Sequence, residues 1–224
     1  MQQQIQLEQA QAAFQELRQY KTMLASKGWF PATSGNMSVR IGDHTGQSDF
    51  VFAVTSSGKD KSLNTPEDFL LVNQDGQPIQ QTSLKPSAET LIHCEIYKAT
   101  GCGAVFHVHT LYNNLISEWY AGQGQAHIPI QGIELIKAFN IWEEDARIEV
   151  PILPNYADIP KIAALVKDAI VPQIPGIVLR NHGIYAWGAN AFEAKRHLEA
   201  FEFLFEYMYR WLILKQAANF PNLT

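Results

Sequence analysis

The chain has 224 residues, 46% of them hydrophobic and 17% charged. That composition excludes wholesale disorder, and the length suffices to bury roughly 70% of the surface that the unfolded form exposes. Lys and Arg number 17 against 22 Asp and Glu, a net charge of −5 with no basic block, which argues against a nucleic-acid scaffold or a binder of anionic membranes. Cys94 and Cys102 are too few for a secreted disulfide framework. No apolar run reaches the roughly 20 residues of a membrane span, and Met1-Gln2-Gln3-Gln4 does not open a signal peptide. A cytoplasmic protein is expected, with residues 1–224 forming one domain.

The elements follow in chain order. Leu7, Ala10, Phe14, Leu17 and Leu24 fall at helical spacing and predict a helix from about Gln4 to Lys27, with Gly28 able to close it. Pro31 to Asn36 is a turn-forming loop. Met37–Ile41, Phe50–Thr55 and Phe69–Val72 are strand-like, and Asn73 to Pro78 is a hairpin turn. Ser87 is the expected N-cap of a helix with Ala88, Leu91, Ile92, Ile96 and Ala99 on its apolar face, ended by Gly101. Gly103–His109 alternates as a strand, Thr110–Tyr120 reads as helix, Ile128–Ile130 as extended chain and Gly132–Asn140 as a short helix. Ile148–Leu153, Gly176–Arg180 and Gly183–Trp187 are strand-like, with an amphipathic helix near Ile159–Ile170. Asn190 caps a final helix to about Ala217, whose Phe201, Phe203, Phe205, Tyr207, Tyr209 and Trp211 are too many aromatics for one buried face. Short turns between the early strands predict a mixed or antiparallel sheet covered by helices in an α/β/α arrangement. Neither a G-x-G-x-x-G after a strand nor a P-loop occurs.

Phe106-His107-Val108-His109 is the sharpest chemical feature. Residues i and i+2 of a strand share a face, so both imidazoles can converge on one ion; a polar strand face near an edge is the alternative. His182, in Arg180-Asn181-His182-Gly183, lies between two strand-like runs. Its local alternative is a turn histidine, but three imidazoles would leave a zinc position open. His44, in a polar loop, His93 and His197, within helices, and His127, beside a strand start, read as structural or solvated. Glu134 sits beside Ile133, Leu135 and Ile136, where partial burial would suit an acid; a solvent-facing helical residue paired with Lys137 at i+3 is the plainer reading. Glu89 in a first helical turn is explained by the helix dipole. Ser34-Gly35-Asn36, Ser56-Ser57-Gly58 and Lys85-Pro86-Ser87 are each ordinary turns alone and together suit a small phosphorylated substrate.

These motifs, with Thr33 to Ser38, Thr55 to Gly58, Lys85 to Thr90, His107 to Thr110 and Asn181 to Gly183 in that order, resemble the class II aldolase/adducin family over nearly the whole chain. Gly28–Asn36, Gly132–Lys137 and Arg180–Gly188 resemble the dehydratases within it. The resemblance implies an α/β fold: an α/β/α sandwich around a central, mainly antiparallel sheet, and a homotetramer with active sites between subunits. It further implies one zinc ion per subunit, held by His107, His109 and His182, with Glu134 as acid/base. Gly35, Asn36, Ser57, Gly58 and Ser87 would hold the phosphate of a small ketose. Glu89 matches a catalytic glutamate of the aldolases and ranks behind Glu134. Many of those aldolases have two serines before that glutamate, whereas Ser87-Ala88-Glu89 has one. The implied reaction is elimination of water without nicotinamide, flavin or pyridoxal. The rivals are a class II aldolase or pentulose-phosphate 4-epimerase using the same histidines, and an adducin-like interaction domain, which would have a broken metal set.

Overall fold

The computed structural model describes residues 2–42 and 50–218; His44 lies outside them. Helix α1 (Gln2–Ser26) leads into strands β1 (Asn36–Ile41), β2 (Val51–Thr55) and β3 (Phe69–Asn73). Helix α2 (Thr90–Thr100), strand β4 (Ala104–Val108), helix α3 (Leu111–Gly122) and strand β5 (His127–Gln131) follow. A 3-10 helix (Glu134–Phe139) precedes strand β6 (Arg147–Leu153), helix α4 (Ile159–Ala169), strands β7 (Gly176–Leu179) and β8 (Gly183–Gly188), and helix α5 (Ala191–Ala218).

The eight strands form one mixed sheet in the order β3-β2-β1-β4-β8-β7-β6-β5. β6 and β7 run parallel, and the other neighbours pair antiparallel. Strand alternation divides the apolar side chains between two faces. Ala104, Phe106 and Val108 of β4 pack with Leu17 of α1, Ile116 of α3 and Phe201 and Leu204 of α5. Val105 of the same strand packs instead with Ile92 and Ile96 of α2 and Ile162 and Val166 of α4. The aromatics of α5 split accordingly: Phe201 and Phe205 are buried, while Phe203, Tyr207 and Trp211 face outward.

Cross-strand register positions the site. Asn36 of β1 lies opposite His107 of β4, and His107 lies opposite Tyr185 of β8. Directly opposed residues share a face, so these three side chains form a row beneath the N-terminus of α2.

Three local expectations are corrected. Ser87 does not cap α2; Glu89 occupies the N-cap position, without a side-chain capping bond. The cause is a second tie. Ser87 N–H donates to the Thr55 carbonyl and Ser57 N–H to the Lys85 carbonyl, which fixes residues 85–87 against the end of β2. Ala88 and Ala99 are exposed; the buried face of α2 is Ile92, His93, Cys94, Ile96 and Tyr97. His109 lies beyond the end of β4, because its N–H donates to the Trp29 carbonyl. Elsewhere the caps are as expected: Gly101 closes α2 in a left-handed conformation, and the Asn190 side chain accepts the Glu193 N–H at 2.9 Å.

Candidate metal centre

His107 comes from β4, His109 from the residue after the sequence leaves that strand, and His182 from the tight turn between β7 and β8. The turn forms because His182 N–H returns to the Leu179 carbonyl and Asn181 takes a left-handed φ of 50°, with its N–H donating to Ser117 Oγ at 2.9 Å. These three histidines and Glu89 each present a ligand atom within 4.8 Å of the others.

The ring orientations are fixed from behind. His107 Nδ1 donates to the Ile184 carbonyl at 2.9 Å, and His182 Nδ1 donates to Asn155 Oδ1 at 3.1 Å. In each case the hydrogen bond to Nδ1 selects the tautomer that leaves an Nε2 lone pair directed at the cluster. The His107 ring also stacks on Tyr185, centroids 3.9 Å apart and planes 9° apart. Nε2 of His109 stands 2.9 Å from Nε2 of His107. Glu89 Oε1 lies 3.1 Å from His182 Nε2, and its Oε2 lies 3.3 Å from His107 Nε2. A coordination tetrahedron with bonds of about 2.0–2.1 Å has edges of about 3.3 Å, so this donor set fits a divalent metal ion.

Electrostatics agree with that use. Burial, then the repulsion that a positive charge at the His107 or His182 position would exert, lowers the His109 pKa to about 3, which keeps a neutral ligand nitrogen. Burial alone would raise the Glu89 pKa; positive charge at the His107 and then the His182 position outweighs it and holds the carboxyl below the usual carboxylate range.

The expected phosphate loops meet at the same rim. Met37 N–H donates to Thr55 Oγ1 at 3.2 Å, which joins the segment of Gly35 and Asn36 to that of Ser57 and Gly58. The bridge between Ser56 and Pro86 brings Ser87 alongside. Gly35 has φ 71°, and a Cβ there would stand 2.7 Å from the His107 carbonyl oxygen, so glycine is required where this loop crosses behind the histidine. The Asn36 side chain is committed elsewhere: its Nδ2 donates to Glu89 Oε2 at 2.6 Å.

Glu134 stands apart from the histidines within this chain. Its side chain is 82% exposed and pairs with Lys137 at 2.8 Å, which is the plainer of the two readings; the partial burial does not occur. The reason is the 3-10 geometry, which turns Ile136 and Phe139 inward and leaves Glu134 on the opposite side. It lines a cleft of about 390 Å³ with Lys137 and Trp142. His197 is structural, its Nδ1 donating to the Trp187 carbonyl, and His127 is exposed.

Sequence reasoning missed several contributors. Gly183 is one: a Cβ there would lie 2.5 Å from the Val108 carbonyl oxygen and 2.6 Å from His107 Cε1. Its place beside His182 was the available signal. Asn155 gave none. Lys61 is buried, and its Nζ donates to the Thr33 carbonyl at 2.8 Å. Burial, then Lys21, lowers its pKa to about 8; its position three residues after Gly58 was the only hint.

The family model for the class II aldolase and adducin N-terminal domain matches residues 15–209, so this chain belongs to that family. Among its relatives, the methylthioribulose-1-phosphate dehydratase of Persephonella marina is 50% identical over 208 residues, covering 93% of this chain and 94% of the relative. The protein of the same name from Bacillus subtilis is 51% identical over 198 residues, covering 88% and 92%. The fold is shared with the solved L-fuculose-1-phosphate aldolase of Thermus thermophilus, at TM-score 0.69 and 23% identity over 92% of this chain and 98% of that one.

Proposed function

We propose that this chain removes water from 5-methylthioribulose 1-phosphate to give the 2,3-diketo-5-methylthiopentyl 1-phosphate, a step of methionine salvage. The observation that carries the reading is the convergence of His107, His109 and His182 Nε2 atoms at the rim where residues 33–37, 55–58 and 85–87 meet. The substrate is taken from the names of relatives about half identical to the chain.

His107, His109 and His182 would hold zinc, a fit for neutral imidazoles. Zinc bound there supplies Lewis acidity that draws charge from the ketose oxygens. Gly35, Asn36, Ser57, Gly58 and Ser87 would line the phosphate end. Anchoring this end orients the reacting carbons without touching them. A carboxylate takes the C3 proton, the C4 hydroxyl leaves with a proton, and the resulting enol ketonises at C4. We assign proton transfer to Glu134 and the second rank to Glu89, whose ionised carboxylate stands against the histidines.

The assignment of Glu134 requires another subunit. Its exposure on one chain leaves it open to a neighbouring copy, and the resemblance to the family supplies the homotetramer in which it would reach that copy's histidines. The outward Phe203, Tyr207 and Trp211 are compatible with subunit contacts. The same reading takes residues 1–224 as one domain in an α/β/α sandwich, supported by apolar layers on both sheet faces and by the predominance of antiparallel pairings. It places the enzyme in the cytoplasm; no helix among the described residues is long and apolar enough to cross a membrane.

The test is mass spectrometry of the zinc-loaded protein incubated with the ketose phosphate. Loss of one water from the substrate, absent with His107→Ala, supports the reading. An intact ketose overturns it. Cleavage or epimerisation of a sugar phosphate instead would favour the aldolase or epimerase alternative.

A further inference from the structure

A line of buried polar side chains runs from the interior of α2 to Glu89. Tyr97 hydroxyl and Ser38 Oγ are 2.7 Å apart, and Ser38 Oγ is 2.7 Å from His93 Nδ1. His93 Nε2 contacts Asn36 Oδ1, and Asn36 Nδ2 is 2.6 Å from Glu89 Oε2. Tyr97, Ser38 and His93 are fully buried and Asn36 is 1% exposed, so water has no access to the line.

Donor and acceptor rules give this line one direction. Glu89 is ionised and accepts, so the Asn36 amide faces it with Nδ2; the flipped amide would set Oδ1 against the carboxylate. Asn36 Oδ1 then faces His93 and accepts. His93 must therefore carry its proton on Nε2 and keep Nδ1 bare. Ser38 donates to that Nδ1 and accepts from the Tyr97 hydroxyl. Burial, then the charge of His107, lowers the His93 pKa to about 3, and burial raises that of Tyr97 well above its ordinary value. Both shifts agree with a neutral imidazole and an intact phenol.

We propose that His93, held in its Nε2–H form by Ser38 and Tyr97, is a positioning residue that locks the Asn36 amide and through it aims the Glu89 carboxylate at His107 and His182. His93 touches no reacting atom in this scheme. Its contribution is orientation, and hydrogen-bonded supports of this kind are worth about 10–100-fold in metal affinity or activity. The proposal rests on the site assigned above and adds to it a reason for the burial of a polar line on a helix that otherwise packs apolar residues.

Two measurements decide it. In the zinc-loaded full chain labelled with ¹⁵N-histidine, long-range nitrogen–proton NMR is expected to show His93 protonated at Nε2 and bare at Nδ1. An Nδ1–H form overturns the proposal whether or not the protein acts on the ketose, so this readout separates the present inference from the dehydratase reading. In turnover assays, His93→Leu is expected to lower kcat about 10–100-fold with KM changed by less than about threefold. His93→Gln, whose amide can still donate to Asn36, is expected to recover most of that loss. Equal kcat for the two variants overturns the proposal. If His93→Leu fails to fold, the NMR result on the unmodified chain decides alone.

Discussion

Around Glu89, one chain supplies every partner: His107 and His182 on its two oxygens, Asn36 behind Oε2, and α2 as its platform. Around Glu134, the partner among the described residues is Lys137, at the surface of a 3-10 helix. The first region is held by contacts within the chain. Its imidazoles are held from the rear by Ile184 and Asn155, and its glycines are sized to the space between strands. The second is presented outward, ready for contact with another molecule. The difference teaches that interior packing fixes groups able to hold an ion, whereas an exposed carboxylate such as Glu134 is open to a group outside its own chain, as the proposed proton transfer would require.

Removing a metal ligand is the strongest way to test the prearranged half. His107→Ala is expected to reduce bound zinc below one ion per chain and to lower kcat about 10³-fold or more, since several kcal/mol of charge stabilisation are lost. Metal analysis and turnover measured on the same preparation check both. Glu134→Gln addresses the outward half. It is expected to lower kcat by about 10²–10⁴-fold while zinc content stays unchanged. Mixing unfolded and refolded Glu134→Gln with His107→Ala chains is expected to restore part of the activity, because some sites then combine two intact halves. No recovery in mixed assemblies would break the comparison, since Glu134 would then not serve the histidines of another copy.

Smaller effects sharpen it. Gly183→Ala forces a methyl against the Val108 carbonyl and the His107 ring. We expect destabilisation of about 1–3 kcal/mol, read as a lower midpoint of denaturant unfolding, together with weaker zinc binding. Lys137→Ala removes the surface partner of Glu134 and a contact 5.9 Å from the Trp142 ring centre, and stability is expected to change by less than about 1 kcal/mol in the same unfolding assay. A large loss there would show that the Glu134 segment belongs to the folded framework after all.

The sequence by itself determined most elements, because their signals are local. Alternation placed β4, Gly101 stopped α2 through a left-handed turn, and Asn190 capped α5. The His-x-His spacing and His182 before a glycine likewise marked the three histidines, since strand and turn geometry restrict where their side chains can reach. Tertiary structure decided the rest. Ser87 had the right chemistry for a cap, but its N–H bond to the Thr55 carbonyl, across 32 positions that no local pattern contains, holds residues 85–87 along β2, and α2 starts only at Thr90. Asn36 read as a phosphate contact, while its side chain is held between His93 and Glu89 by residues far along the chain. Glu134 lay among apolar neighbours in sequence, yet the 3-10 turn buried Ile136 and Phe139 and left the carboxylate outside. Local propensity fixes how a segment is folded; which of its polar atoms remain free depends on partners that only packing brings within hydrogen-bond distance.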